Sequence, residues 1–299
     1  MRRERIIHSV LITTILVVGF IMLRIHYDTS LLKNSKKNKY WVNKTFSTKT
    51  YNFVAMGDSR CVYGLSPQKI QEILPGRQCF NMGYLGCGFY EPLLKMGLAR
   101  CKNEPGTIIL LAITPRSLSD YQSSIDCTKL KQILAISFEQ RLWTQYFPYT
   151  RALFNNFRVS NLTAFPKNTR FEFHLNGWIA AHTKNKYENQ SDKRYLQIFQ
   201  HSRSRQGVEV LSFVKKAAKK KFMVIGFFPP ISESLQVIEN EKSGFLRKTF
   251  IDMFTKNGGF WLNFLDKYET FDGSHLHAKS AQRFSTDLAL KIKNEILVY

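Results

Sequence analysis

The sequence is short of acidic residues. It has 22 Asp and Glu against 44 Lys and Arg, which gives a formal net charge of +22. That balance favours anionic partners such as phospholipid headgroups, anionic glycans or nucleic acid. The sequence lacks zinc-finger spacing, an RNA-recognition signature and basic-region heptads, so nucleic-acid binding would rest on charge alone. We therefore expect no nucleic-acid partner, and basic runs such as Lys219-Lys220-Lys221 are typical of a solvated helix face.

Cysteine is scarce, and no metal-binding pattern is present. The five cysteines, Cys61, Cys79, Cys87, Cys101 and Cys127, lie within about a quarter of the chain and form no C-x-x-C pair. This spacing argues against a zinc ribbon and a redox dithiol, while disulfides and buried thiols both remain open. Without a His-x-x-x-His pair or an acidic cluster, we expect no metal and no cofactor.

One long apolar run lies near the N-terminus. Residues 6–23 contain no Asp, Glu, Lys or Arg, and as a helix they would rise about 27 Å, which is enough to cross a bilayer. The run is longer than a signal-peptide core, and Arg24 follows it instead of a small-residue cleavage site. It predicts an uncleaved signal anchor, with residues 1–27 forming a cytoplasmic tail and one transmembrane helix. A buried core helix is the alternative.

The flanking charges conflict over the orientation of this anchor. Arg2, Arg3 and Arg5 precede the run, but more Lys and Arg residues follow it within residues 24–39, which would favour a cytoplasmic domain. Large domains translocate largely regardless of charge, so we expect the domain outside the membrane. Residues 28–49, rich in Lys, Asn, Ser and Thr, predict a juxtamembrane linker before a folded domain at 50–299.

Strand and helix patterns alternate along this domain. Strands are predicted at residues 52–56, 78–81, 107–113, 222–228 and 261–264, and helices at 67–74, 90–101, 208–220, 244–256 and 277–296. Such alternation implies an α/β fold with a parallel central sheet. Residues 117–202 break the pattern and predict an insertion or lid.

Two short motifs at opposite ends of this pattern carry chemistry. Ser59, in Gly57-Asp58-Ser59-Arg60, follows the first strand, where a turn exposes a side chain at the carboxyl end of the sheet. A serine nucleophile needs a base and a group that orients the base. Asp272-Gly273-Ser274-His275, just before the last helix, supplies both, with Asp272 in position to accept the Nδ1 proton of His275. Asp266 is a poorer alternative to Asp272.

On these motifs the sequence resembles the SGNH, or GDSL-like, hydrolase family over about residues 50–116 and 205–299. The resemblance implies a three-layer α/β/α fold, an acyl-serine intermediate and the catalytic residues Ser59, His275 and Asp272. The glycine of the family's second block, whose N–H helps to bind the oxyanion, matches Gly83.

The third block of the family is not matched. Where the family shows Gly-x-Asn-Asp, this chain has Ala112-Ile113-Thr114-Pro115-Arg116, so the usual oxyanion Asn is missing. Losing one oxyanion donor costs about 2.7 to 4 kcal/mol of transition-state stabilisation. The candidate substitutes are Asn81, Arg116 and Arg60.

The chain is most similar to a membrane-anchored branch resembling the D-alanyl transfer protein of teichoic-acid modification and related envelope-polysaccharide acyl-modifying proteins. The single anchor, the Asp-Ser-Arg turn and the Pro-Arg after the third strand carry this resemblance. It implies a single-pass protein of the bacterial cell membrane with an extracytoplasmic catalytic domain. The implied substrate is an acylated glycan or glycopolymer, and other membrane proteins of an acylation pathway are implied partners.

Two alternatives stay open at this point. The missing Asn also fits a catalytically silent, membrane-tethered scaffold that holds an anionic polymer or partner protein. In the insertion, Trp178 either packs in the core or stacks on substrate, whereas His174 and His277 are expected to be structural or solvent-facing. The sequence does not decide between water and a sugar hydroxyl as the acyl acceptor.

Overall fold

The structure, a computed structural model, describes residues 8, 10–17, 19, 29–89, 91–118, 127–146, 169–183, 190–201, 204 and 207–297. The chain divides into two compact units, Met1–Asn43 with Ile136–Ala164 and Lys44–Ala135 with Phe165–Tyr299. The second unit contains a five-stranded sheet, a two-stranded sheet and both sequence motifs.

The first unit contains the predicted anchor. Residues 10–17 are helical, and most of their large apolar side chains are exposed. Residues 6, 7, 9, 18 and 20–23 of that prediction lie outside the described residues. Within the described part of the chain, no helix is both long and apolar enough to cross a membrane. The anchor at 6–23 stays a prediction.

The regular elements alternate through the second unit. The strands are β1 Phe53–Gly57, β2 Cys79–Asn81, β3 Ile108–Ala112, β4 Thr169–Phe173, β5 Ile179–Thr183, β6 Met223–Phe227 and β7 Phe260–Leu262. Besides the helical residues 10–17, the described part of the chain contains the helices α1 Thr29–Phe46, α2 Ser59–Gly64, α3 Pro67–Ile73, α4 Glu91–Ala99, α5 Thr128–Leu134, α6 Phe138–Tyr146, α7 Gln190–His201, α8 Val208–Lys219, α9 Glu233–Lys242, α10 Arg247–Lys256 and α11 Ala278–Glu295. A 3₁₀ turn, Arg116–Leu118, follows β3.

A parallel five-stranded sheet forms the centre of the second unit, in the order β2-β1-β3-β6-β7. Every residue of β1 and β3 is buried, as expected for parallel strands covered on both faces. The predicted α/β class and parallel sheet are confirmed, and the arrangement is consistent with three layers.

Helices cover both faces of this sheet. Phe53 and Ala55 of β1 share one core cluster with α3 and α11. Met56 points to the other face, because side chains alternate along a strand, and there α4, α8 and α10 pack on β1, β6 and β7. The carboxyl ends of the strands therefore remain as the open edge where a site can form.

Three segments have structural features that the sequence did not predict. The predicted linker, 28–49, is largely helical as α1, because the segment contains no Pro or Gly to interrupt a helix. Within the predicted insertion or lid at 117–202, Trp178 and Ala180 of the β4–β5 hairpin pack into the main core. The sequence did not predict the short helix α2 that begins at Ser59, whereas the helix predicted from residue 67 is present as α3.

Lys44 is an unusual buried residue near the start of the second unit. Its side chain is 2% exposed, and its Nζ donates to the carbonyl of Gly177 at 2.7 Å. Burial lowers the pKa of Lys44 to about 7, against a smaller upward effect of Cys61. Folding therefore favours the neutral amine at a pH where the unfolded chain still carries the charge.

This shift predicts how stability depends on pH. Between about pH 7 and pH 8.5 the unfolded chain binds more protons at Lys44 than the folded chain, so stability rises with pH in that window. Above about pH 8.5 the buried thiols of Cys61, Cys79 and Cys101 act in the opposite direction, because burial raises their pKa. We expect a slope of up to about 1 kcal/mol per pH unit in wild type, measured by chemical denaturation of the full chain in detergent. The slope should be lost in Lys44→Met.

The exposed Lys49 provides the matched control. Lys49→Met should keep the wild-type slope. Equal slopes in wild type and Lys44→Met would show that Lys44 is charged in the folded protein.

Candidate active site

Asp58 fixes the turn that presents Ser59. One carboxylate oxygen of Asp58 caps α2 by accepting the backbone N–H of Arg60 at 2.9 Å. The other accepts the hydroxyl of Thr114, after β3, also at 2.9 Å. A side-chain cap at this position satisfies a helix N–H that has no intrahelical acceptor. The cap explains why α2 begins at Ser59, and it joins the loops after β1 and β3.

The second turn is organised around Asp272. Its Oδ1 accepts the backbone N–H groups of Ser274 and His275 at 2.9 and 2.8 Å. The turn is also joined to its surroundings through its backbone carbonyls, since Ser191 N donates to Asp272 and Ser232 N donates to Gly273. Asp272 is thus held from several directions before it contacts the imidazole.

The structure brings Ser59, His275 and Asp272 into one hydrogen-bonded chain. Asp272 Oδ2 lies 2.7 Å from His275 Nδ1, and His275 Nε2 lies 2.8 Å from Ser59 Oγ. The carboxylate selects the tautomer with a proton on Nδ1, which leaves Nε2 to accept the serine proton. The His275 ring stacks on Phe271 and meets the edge of Tyr63.

The charge state of Asp272 suits this arrangement. Burial alone would raise the pKa of Asp272, but His275 and the backbone N–H groups of Ser274 and His275 outweigh burial and lower it. The carboxylate is therefore ionised at neutral pH. Asp266, the alternative partner, is exposed, and the Nδ1 contact goes to Asp272.

The side chain of Asn81 makes contacts that differ from the oxyanion role predicted for it. Its two amide hydrogens go to the carbonyl oxygens of Cys61 and Leu65 at 2.7 and 2.9 Å. Its Oδ1 accepts the backbone N–H of Gly83 at 3.0 Å. The Asn81 side chain has no third N–H to donate, so it braces α2 against β2. The N–H of Gly83 is engaged by the same contact.

Arg60 is also directed away from the reacting atoms. Its Nη2 donates to Glu239 at 2.6 Å and its Nε donates to Ser274 Oγ at 3.0 Å. Both members of the Arg60–Glu239 pair are at most 2% exposed. Ser274 Oγ lies 3.0 Å from the Tyr195 hydroxyl. Arg60 therefore connects the nucleophile turn to the Asp272 turn and does not match the oxyanion role predicted for it.

Arg116, the last oxyanion candidate, is buried in the 3₁₀ turn after β3. Its guanidinium carbon lies 5.6 Å from the centre of the Tyr195 ring. Its predicted role stays a prediction. The backbone N–H of Ser59 is a further candidate donor to the oxyanion, because the first N–H groups of a helix have no intrahelical acceptor.

Other residues singled out in the sequence have structural contacts. Trp178 is 2% exposed and donates its Nε1 hydrogen to the carbonyl of Tyr63 at 3.0 Å, so it packs and does not line an open cleft. His174 stacks on Trp178. His277 caps α11 and contacts Glu269 at 2.9 Å.

The cysteines divide between the two possibilities that the sequence left open. Cys87 and Cys127 form a disulfide that spans 40 residues of sequence. Cys61, Cys79 and Cys101 are buried thiols. Within the described ranges, no group of three His, Cys, Asp or Glu side chains is placed to hold a metal ion.

The sequence did not indicate the polar residues behind the site. Glu239 lies on α9 and Tyr195 on α7, far from either motif in the chain. Neither belongs to a recognisable pattern, so only the folded chain shows that they meet Arg60 and Ser274. Thr114 lies in the third block, where the sequence departs from the family pattern, but the sequence did not indicate that Thr114 contacts Asp58.

Comparison with known proteins does not add an assignment. No family model matches the sequence, and no curated protein matches it. A Streptococcus pneumonia protein provisionally described as a platelet activating factor is 14% identical, with 91% of this chain and 98% of that chain covered, at a TM-score of 0.38. An Agrobacterium tumefaciens protein provisionally described as an arylesterase is 11% identical, with coverage of 82% and 99% and a TM-score of 0.37. Scores of this size do not establish a shared fold or function.

The approach of α2 to Gly83 generates a prediction. A Cβ atom at Gly83 would lie 2.9 Å from Cys61 Cβ and 3.0 Å from the backbone nitrogen of Val62. Gly83→Ala must therefore displace the helix that carries Ser59. We expect a loss of about 1–3 kcal/mol in the free energy of unfolding, measured by chemical denaturation.

Gly64, on the same helix, is the control. A Cβ atom there meets only Leu276 at 3.8 Å, an ordinary van der Waals contact. Gly64→Ala should change stability by less than about 1 kcal/mol, with helix propensity favouring Ala. Equal stability of Gly83→Ala and wild type would contradict the close packing of the two segments.

Proposed function

We propose that this protein is a membrane-anchored serine acyl hydrolase or acyltransferase of SGNH type, acting on acyl esters of extracytoplasmic cell-envelope polymers. The hydrogen-bonded chain Ser59–His275–Asp272 is the observation that supports serine acyl-transfer chemistry. The positions of its members, after the first strand and just before the last helix, support the family resemblance. The membrane anchor is proposed from the apolar run 6–23. The polymer substrate is proposed from the resemblance to D-alanyl transfer proteins.

The geometry supports a two-step reaction. Ser59 Oγ attacks the acyl carbonyl carbon while His275 Nε2 takes the serine proton, and Asp272 stabilises the imidazolium that forms. Collapse of the tetrahedral intermediate breaks the bond to the leaving alcohol, which receives the proton from His275. The acyl group remains on Ser59 as an ester until water or a sugar hydroxyl attacks it while His275 takes the proton of the acceptor. The acyl–Oγ bond then breaks, Ser59 regains its proton from His275, and the acyl group leaves as a free acid or as an ester of the sugar.

Stabilisation of the oxyanion is the weak part of the site. The Asn81 amide and the Gly83 N–H are engaged within the protein, and the third block has no Asn. The backbone N–H of Ser59 is the donor that the start of α2 offers. This deficit favours a second candidate, a catalytically silent tethered scaffold that uses its basic surface to hold an anionic polymer or partner.

Covalent labelling separates the two candidates. A fluorophosphonate reacts with an activated serine, so we expect wild type to be labelled at Ser59 and Ser59→Ala to remain unlabelled. His275→Ala should slow labelling by about three orders of magnitude or more, because the base is lost. Labelling is quantified by in-gel fluorescence, and the site is identified by mass spectrometry of the peptides.

Two matched variants control this experiment. His182→Ala removes an exposed histidine and should label as wild type does. Asp272→Asn should label far more slowly than Asp266→Asn, since Asp272 contacts Nδ1. A folded wild type that never reacts at Ser59 would exclude the enzyme and favour the scaffold.

The fate of the acyl group tests transfer against hydrolysis. After incubation with p-nitrophenyl acetate, mass spectrometry should find an acetyl group on the Ser59 peptide. If the acyl acceptor is a polymer hydroxyl, an added glycan acceptor should carry acetyl groups, which would identify the protein as an acyltransferase. Free acetate with no acetylated glycan would identify the protein as a hydrolase.

A further inference from the structure

A cavity of about 600 Å³ lies at the carboxyl ends of β6 and β7. It is lined by segments that follow these strands, Phe228–Ile231 and Asn263–Lys267, and by one side of α9. Its volume is in the range of small-molecule sites, and its position is the edge where ligands of open parallel sheets bind. Ser59, His275 and Asp272 are not among its lining residues.

Two guanidinium groups and only one carboxylate meet at one part of the cavity lining, which we call the floor. Arg60 and Arg247 both contact Glu239, at 2.6 and 3.4 Å. Arg60 and Glu239 are fully buried, whereas about a quarter of the Arg247 side chain is exposed. After Glu239 neutralises one arginine, one positive charge remains at the floor.

The other charges of the lining do not cancel this excess. The other charged residues of the lining are Lys267, Lys291, Glu233 and Asp266, two of each sign. Lys267 pairs with Glu233, whereas Lys291 pairs at 3.3 Å with Glu295, which lies outside the lining. The lining residues by themselves therefore keep one positive charge. Burial lowers the pKa of Arg247, Glu239 opposes this effect, and Arg60 adds a smaller lowering.

Arg247 is also held in a fixed place. Its guanidinium carbon lies 4.6 Å from the centre of the Phe228 ring, and the 3.4 Å contact to Glu239 uses one of its terminal nitrogens. A guanidinium that retains free N–H groups is suited to paired hydrogen bonds with a carboxylate or a phosphate. Phe228, Phe264 and Ile231 add apolar surface for the body of such a ligand.

We propose that this cavity is a binding site for a small organic anion, with Arg247 holding its carboxylate or phosphate and the Phe228–Phe264 wall covering its apolar face. The site is separate from Ser59 and does not depend on the proposed reaction. Arg60 is the residue of the nucleophile turn that also lines this cavity.

Calorimetric titration of the full chain in detergent tests this site. The probes are sodium glucuronate for a carboxylate, glycerol 3-phosphate for an organic phosphate, inorganic phosphate, and glucose as the uncharged counterpart. We expect at least one of the two organic anions to bind at one site per chain and more tightly than inorganic phosphate, and glucose not to bind. Failure of both organic anions to bind wild type would overturn the proposal.

Substitutions locate the binding. Arg247→Gln should weaken it about tenfold or more, because it removes the charge-assisted hydrogen bonds. Lys248→Gln, which removes an exposed positive charge from the next residue, should bind as wild type does. Equal weakening in both variants would show attraction to the basic surface in general and would overturn the site.

A second pair keeps the test valid if Arg247→Gln does not fold. Gln236 is exposed and lines the cavity, so Gln236→Glu adds a repelling carboxylate without altering the buried ion pair and should weaken binding several-fold. Asn240→Asp adds the same charge one turn further along α9, outside the lining, and should have a smaller effect. Unchanged affinity in Gln236→Glu would place the ligand elsewhere.

Discussion

The buried charge of Arg60 is the constraint on which the candidate site depends. A guanidinium removed from water is costly unless its charge is paired and its N–H groups are bonded. Arg60 meets this requirement through Glu239 on α9 and Ser274 between Asp272 and His275. The residue after the nucleophile thus selects where α9 and the Asp272 turn can lie. Chain segments more than 170 residues apart are aligned by one side chain.

The parts of the fold that could be predicted are those with local signals. The apolar strand at β3 and the alternation of strands with helices predicted a parallel sheet, because buried parallel strands and amphipathic helices have distinct periods. The positions of Ser59 and of the Asp272–His275 turn followed from the same pattern. The structure brings these three side chains together, although their catalytic role stays a prediction.

The contacts behind the site could not be predicted, because they depend on residues that carry no local signal. Asn81 was a reasonable oxyanion donor by type, yet the closeness of α2 to β2 uses both of its amide hydrogens. Glu239 belongs to an ordinary polar helix sequence, and its burial arises from the position of α9. The helix at α1 was missed because a Lys- and Asn-rich composition obscured the absence of helix breakers.

The Cys87–Cys127 disulfide closes a covalent ring around part of this architecture. The ring encloses β3, the central strand of the sheet, together with the turn that carries Thr114 and Arg116. In the chain-entropy model, a loop of this length restricts the unfolded chain by about 4 kcal/mol. In a compartment that keeps thiols reduced, the same sequence would fold without this restraint. The redox state of the surroundings therefore sets how much freedom the unfolded chain has around β3, and with it how stable the folded protein is.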